Sequence, residues 1–166
     1  MALIVEDGTG LATAESYISV ADASARLASL GDTTFDALAS DALRETALRK
    51  ATNYMEQRYS TRWKGERIVA DQALSWPRYD VNVHGYILDS DEVPVAVANA
   101  CADLALISLT ETLNPALDRA VVREKVGPLE TEYSEHSPQA RRYPAIDQML
   151  AAYMKGGGVN ALLAVR

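Results

Sequence analysis

Few side chains in this chain combine the type and the spacing that chemistry needs, and each group that does has a simpler use. Asp7-Gly8-Thr9-Gly10 has the composition of an aspartic-protease loop, but the order differs and no second copy exists to share a proton. Asp89, Asp91 and Glu92 could hold a cation. They lack the glycine and the distant bidentate acid of a calcium loop, and they precede a predicted helix, where acids complement free amides. Ser16, Ser19 and Ser75 sit in no Gly-x-Ser-x-Gly elbow. His84 and His136, the two histidines, have no Cys or His partner at zinc spacing. The single cysteine, Cys101, lies in an apolar stretch and reads as a small buried hydrophobe in a reducing compartment. The expectation is a non-enzymatic protein with no catalytic residue, no cofactor and no metal.

Stacking and charge remain. Tyr59, Arg62, Trp63, Lys64 and Arg67 gather rings and cations in one short segment, the composition a single-strand binder would use, and Arg141-Arg142-Tyr143 repeats it more weakly. Against this stands a formal net charge of -7, which repels a phosphate backbone. The basic residues are scattered, so the nucleic-acid patch is kept as the alternative reading.

The elements that must position these groups follow from size and periodicity. A chain of 166 residues, 48% apolar, can bury one ordinary core. The expected organisation is one domain over 1–155 and a docking tail over 156–166. The amino terminus has no cationic flank or long apolar run of a secretory signal, and the most apolar stretch, 93–113, is broken by Asn99, Asp103 and Ser108, so no membrane span is expected. A short apolar run at 3–5 predicts a strand or extended arm. Ser19 with Asp22 reads as a reciprocal cap on a helix to Ser29, which Gly31 ends. Ser40 or Asp41 caps a longer helix over about 40–59, whose Leu43, Ala47, Leu48, Ala51, Tyr54, Met55 and Arg58 recur at helical steps on one side. Arg44, Glu45, Arg49, Lys50 and Glu56 are expected on its solvated side.

Between this helix and the next, Trp63 and Trp76 bracket a segment ending in Trp76-Pro77-Arg78. Rings of that size predict an ordered linker, with Trp63, Trp76, Pro77 and Arg78 as structural anchors. Residues 67–70 suggest a short strand and 72–75 a helical turn. Residues 78–92 alternate around Gly85 as a hairpin or long loop. An apolar helix over 95–113 follows Pro94. Residues 121–133 read as a β-ribbon about Gly127-Pro128, and 144–154 as a last helix. After three glycines the apolar tail, with Gly156, Val159, Leu162, Leu163, Val165 and Arg166, suggests docking onto a partner. The fold class is mainly α: a small helical bundle with a short β-ribbon and extended N- and C-terminal arms.

Ala2-Leu-Ile-Val-Glu-Asp-Gly-Thr-Gly, Ala14-Glu-Ser-Tyr, Ala51-Thr-Asn-Tyr, Trp63-Lys-Gly, Gln72-Ala-Leu-Ser-Trp-Pro-Arg78, Val93-Pro94 and Arg123-Glu-Lys-Val-Gly-Pro128 resemble a family of small tailed-bacteriophage proteins, over the chain to about Tyr133. That family carries the label DnaT-like single-stranded DNA-binding protein, and is similar in its small helical fold and phage context to head-to-tail adaptors. Weighed with the acidic charge, the resemblance implies a structural virion protein of the phage neck, with the portal protein and the next neck or tail connector as partners. It further implies a homo-oligomeric ring, commonly of twelve copies, monomeric when isolated, with genomic DNA passing through the lumen without specific binding. Localisation would be the virion neck, and host cytoplasm during assembly. The alternative is a single-stranded DNA-binding protein of a phage replication system, with contacts at Tyr59, Arg62, Trp63, Lys64 and Arg67.

Overall fold

The computed structural model describes residues 2–116 and 142–156, together with the backbone of two strands at 123–126 and 129–132. The fold is mainly α with short β-ribbons. Helices α1 (Val20–Ser29), α2 (Asp41–Tyr59), α3 (Val95–Ile107) and α4 (Pro144–Leu150) pack around one core, α2 against α3 most extensively. Between α2 and α3 lie β1 (Glu66–Arg67), β2 (Arg78–Tyr79), β3 (Asn82–Val83) and β4 (Tyr86–Ile87). Beyond α3, β5 (Arg123–Val126) pairs antiparallel with β6 (Leu129–Glu132). A single 3-10 turn, Ala151–Tyr153, extends α4.

Local chemistry explains most boundaries. Ser19 accepts from the Asp22 amide at 3.1 Å and donates to its carboxylate at 2.6 Å, satisfying a free donor at the start of α1. Past its end, Gly31 takes φ +84, and the Gly31 and Asp32 amides donate back to Ala28 and Leu27 at 2.9 and 3.0 Å, a two-bond closure that needs a left-handed residue. The β3–β4 hairpin turns through His84 and Gly85, both at positive φ, which matches the twist of a two-residue loop.

The linker between α2 and α3 is built on its two indoles. Trp63 and Trp76 are 1% and 0% exposed and meet edge-to-face at 5.6 Å. Arg78, also buried, donates to the carbonyls of Lys64 (2.7 Å), Gly65 (2.6 Å) and Ser75 (3.0 Å), tying both ends of the linker together. Burial lowers its guanidinium below the usual value, and the three carbonyls satisfy its donors. Pro77 is fully buried beside it, behind a cis peptide bond.

Several expectations differ from the structure. The apolar run after Pro94 stays helical only to Ile107; beyond it the Leu109 and Thr110 amides turn back to the Leu106 and Ile107 carbonyls three residues earlier, tightening the last turn as the helix ends. The segment 72–75 forms no helical turn; Gln72 is buried there and its amide donates to the Leu74 and Pro77 carbonyls. The strand expected over 67–70 shrinks to Glu66–Arg67. The amino-terminal run contributes one parallel bridge, Val5 to Ser16, and then wraps around buried Glu6, whose carboxylate accepts from Gly8, Gly10 and Leu11 at 2.8–3.1 Å. Glu56 is not a solvated charge. It accepts from Tyr17 Oη, from Ser75 Oγ at 2.6 Å and from the Ser75 amide at 3.1 Å, because α2 turns this side toward the linker rather than to water. Leu43, expected in the core, is half exposed at the start of α2.

A Cβ on Gly65 would lie 2.1 Å from the Tyr79 carbonyl oxygen at φ +64, so Gly65→Ala should cost about 3 kcal/mol in urea unfolding, against under 0.5 for a surface control. Tyr17 is held protonated well above the ordinary value of 10.0, first by burial and then by the Glu56 charge. Its contribution is complete below pH 10; above that the unfolded chain ionises while the folded one does not. Stability should therefore fall by up to about 1.4 kcal/mol per pH unit, and Tyr17→Phe should flatten that slope.

Candidate nucleic-acid interface

The five residues expected to form a stacking patch are divided by the fold. Tyr59 and Trp63 are 0% and 1% exposed, so neither offers a face to a base. Tyr59 donates to Asp147 at 2.8 Å, packs with its ring tilted at 5.9 Å from Trp63, and is held protonated above its usual value by burial and by that carboxylate. Helical spacing places Tyr59 on the inner face of α2, and its rings are used for packing. Arg62, Lys64 and Arg67 remain outside. Arg67 donates to the Gln72 carbonyl at 3.2 Å and shares a ribbon face with Arg78, opposite the face of Glu66 and Tyr79.

A cation arrives from far along the chain. Trp63 forms an antiparallel bridge with Met154, flanked by amide bonds from Lys64 to Tyr153 (2.9 Å) and from Lys155 to Arg62 (2.7 Å). This register sets Arg62 opposite Lys155. Trp63 and Met154 face inward and are buried, whereas Arg62 and Lys155 are exposed. Neither makes an ion pair with a described residue. Two like charges brought side by side by this backbone bond repel each other unless an anion lies between them.

Exposed rings lie on the neighbouring β3–β4 hairpin. Lys64 Nζ donates to the Ala152 carbonyl at 2.8 Å and to the Asn82 carbonyl at 3.0 Å, fixing the β3–β4 hairpin against the cationic edge with one Nζ donor left over. Near the hairpin tip Tyr86 is 77% and Ile87 72% exposed, with His84 exposed in the turn. Tyr79 is 44% exposed but sits opposite Glu66, whose charge disfavours a neighbouring phosphate. The arrangement is a short cationic strip, Arg62, Lys64 and Lys155, beside one upstanding tyrosine. Among the described residues no group of His, Cys, Asp and Glu is placed to hold a metal, and no helix is long and apolar enough to cross a membrane.

A family model described as "Putative DnaT-like ssDNA binding protein" matches residues 1–166, the whole chain. The chain belongs to this DnaT-like family. No curated protein and no solved structure matches it. The family match corrects the head-to-tail adaptor reading, together with the portal and neck-connector partners, the neck ring and the DNA-filled lumen that came with it. The physical reason lies in the weight given to net charge. A total of -7 describes the far field, whereas a strand responds to charges within about 8 Å at physiological salt, and there the exposed strip is basic. The docking residues Val159, Leu162, Leu163, Val165 and Arg166, and Arg141, lie outside the described residues; Gly156 is exposed at φ +73. Arg142 is exposed, and the Tyr143 ring packs at 5.6 Å on Tyr54. Sequence reasoning missed Lys155 and Tyr86. Alternation around Gly85 could have marked Tyr86, but the pairing of Arg62 with Lys155 spans most of the chain and leaves no periodic trace.

An unfavourable charge pair held at a surface should cost stability. Arg62→Glu converts it into an opposite-charge pair, so the melting temperature should rise by about 1–2 °C, corresponding to about 0.5 kcal/mol, and fall back when Lys155→Glu is added.

Proposed function

We propose that this protein binds single-stranded DNA without catalysis, holding the phosphate backbone on Arg62, Lys64 and Lys155 and stacking a base on Tyr86. The observation that carries the reading is the direct opposition of Arg62 and Lys155, both exposed and without acidic partners among the described residues, beside an exposed ring. The family description supports it independently. A phosphate between the two cations relieves their repulsion, so part of the binding energy comes from a destabilised free surface. The unpaired strand, unlike a duplex, can offer a base face to Tyr86, a contact worth about 1–3 kcal/mol and tolerant of sequence. Three cations make the electrostatic share modest, consistent with the acidity elsewhere in the chain.

Fluorescence anisotropy with a labelled oligothymidylate tests this. Affinity should fall with salt at a log–log slope of about -2, the value for three neutralised phosphates on a single strand. Arg62→Glu with Lys155→Glu should flatten the slope and weaken binding at least about tenfold, and Tyr86→Ala should weaken it about 5- to 100-fold with the slope unchanged. A flat titration of the wild type at low salt contradicts the proposal.

A further inference from the structure

The outer edge of the β3–β4 hairpin is left unprotected. The Leu88 amide donates to the Val81 carbonyl at 2.9 Å, so by antiparallel alternation Asn82 and Ile87 form the open pair between Val81–Leu88 and Val83–Tyr86. Their backbone N–H and C=O groups therefore point away from each other. Asn82 uses its outward carbonyl to accept from Lys64 Nζ at 3.0 Å, which anchors the β3 side to the body. Ile87 directs its own two groups out of the opposite edge, and no described residue bonds to either. Its side chain shares the outer face with exposed Asn82 and is itself 72% exposed, whereas Val81, Val83 and Leu88 on the other face pack toward the core. Native edges are commonly blunted by lysine, proline or a bulge, and Tyr86-Ile87-Leu88 has none of these.

We infer that β4 pairs with β4 of a second copy of this chain about a twofold axis at Ile87, forming a four-stranded sheet that holds one DNA strand between two cationic strips. The inference rests on the single-strand reading above. Two features select a second copy as the occupant. Ile87 carries one free donor and one free acceptor, and two copies related by a twofold satisfy both with two bonds, leaving none over. The chain turns at Gly85, so centring on Ile87 sets Tyr86 of each copy against Leu88 of the other and Ile87 against itself. Charge favours this antiparallel order. It separates the two exposed Asp89 carboxylates by four residues, about 14 Å along the strands and beyond the screening length, and sets each beside the other copy's His84-Gly85 turn; parallel order would set acid against acid. A twofold normal to the sheet also leaves both Tyr86 rings on one face, where both can stack on one strand. The edge is far smaller than the roughly 800 Å² per partner of a standard interface, and two chains of net charge -7 repel, so the copies meet on DNA, which supplies the effective concentration.

The test uses the full chain and oligothymidylate. Ile87→Lys and Ile87→Glu each set like charges face to face at the axis, while their opposite signs move the general attraction to DNA in opposite directions. Ile87 is exposed, and thermal unfolding confirms that both variants are intact. On a strand long enough for two copies, wild type should bind the second at least about tenfold more tightly than the first, with two copies per strand in sedimentation, and both variants should bind the two independently. Ile87→Cys gives a second readout. Hydrogen-bonded partners lie about 5.5 Å apart between Cα atoms, within disulfide reach, so oxidised glutathione should link two copies, at least about fivefold faster on oligothymidylate than without it. Val95→Cys, similarly exposed at the start of α3, should not link, and Cys101 is buried. Independent binding by wild type, cooperativity that survives both charge variants, or failure of Ile87→Cys to link on a bound strand overturns the β4 pairing and leaves the single-strand reading standing. Linkage of Ile87→Cys without any strand binding overturns the single-strand reading and supports the pairing. Absence of both overturns the two together.

Discussion

Six aromatic rings form one unbroken line of contact through this protein: Tyr143 on Tyr54, Tyr54 on Tyr59, Tyr59 on Trp63, Trp63 on Trp76 and Trp76 on Tyr153, at centroid separations between 5.6 and 6.3 Å. Four of the five contacts are edge-to-face, the arrangement that adds about 0.5–1.5 kcal/mol per pair to the burial itself. The line connects α2, the linker and α4 with its 3-10 turn, elements that have little regular backbone pairing among them. It is also what brings Met154 beside Trp63, and so what places Lys155 across from Arg62. The surface cations meet because the rings beneath them do.

That division between a packed inside and a charged outside fixes how a strand can be held. Rings committed to one another cannot open for a base without losing several contacts at once, so the proposed stacking is assigned to a residue the core does not need. Tyr86 stands on a hairpin whose turn is set by two left-handed residues and whose base is fixed by Lys64. One side chain thus links the hairpin, the 3-10 turn and the cationic edge. The linker is similarly closed by Arg78, whose three carbonyl acceptors make it part of the framework rather than of the surface.

Helix ends governed by neighbouring residues were legible in the sequence. Ser19 and Asp22 mark the start of α1 and Gly31 its end, and α2 occupies the range its apolar spacing predicts. The two tryptophans could be read as markers of an ordered linker before their partners were known. Groups whose role depends on distant partners could not be read. Glu56 looks like any helix-surface acid until Tyr17 and Ser75 are brought to it, and Glu6 looks like a strand residue until the backbone amides of 8, 10 and 11 converge on it. The end of α3 was missed because hydrophobic content continues past the point where the backbone turns. In the candidate interface, the sequence grouped Arg62 and Lys64 with two rings that the fold buries, and had no means of adding Lys155. Net charge misled for a related reason: it sums over a surface whose parts do not see one another through salt.

Whether the strand lies on the outer strip with the ring line undisturbed is tested most directly by backbone and side-chain chemical-shift mapping during titration with oligothymidylate. Shifts should concentrate at Arg62, Lys64, Lys155 and Tyr86, with the indole resonances of Trp63 and Trp76 staying in place. Large shifts at those indoles with a silent Arg62 and Lys155 would contradict it.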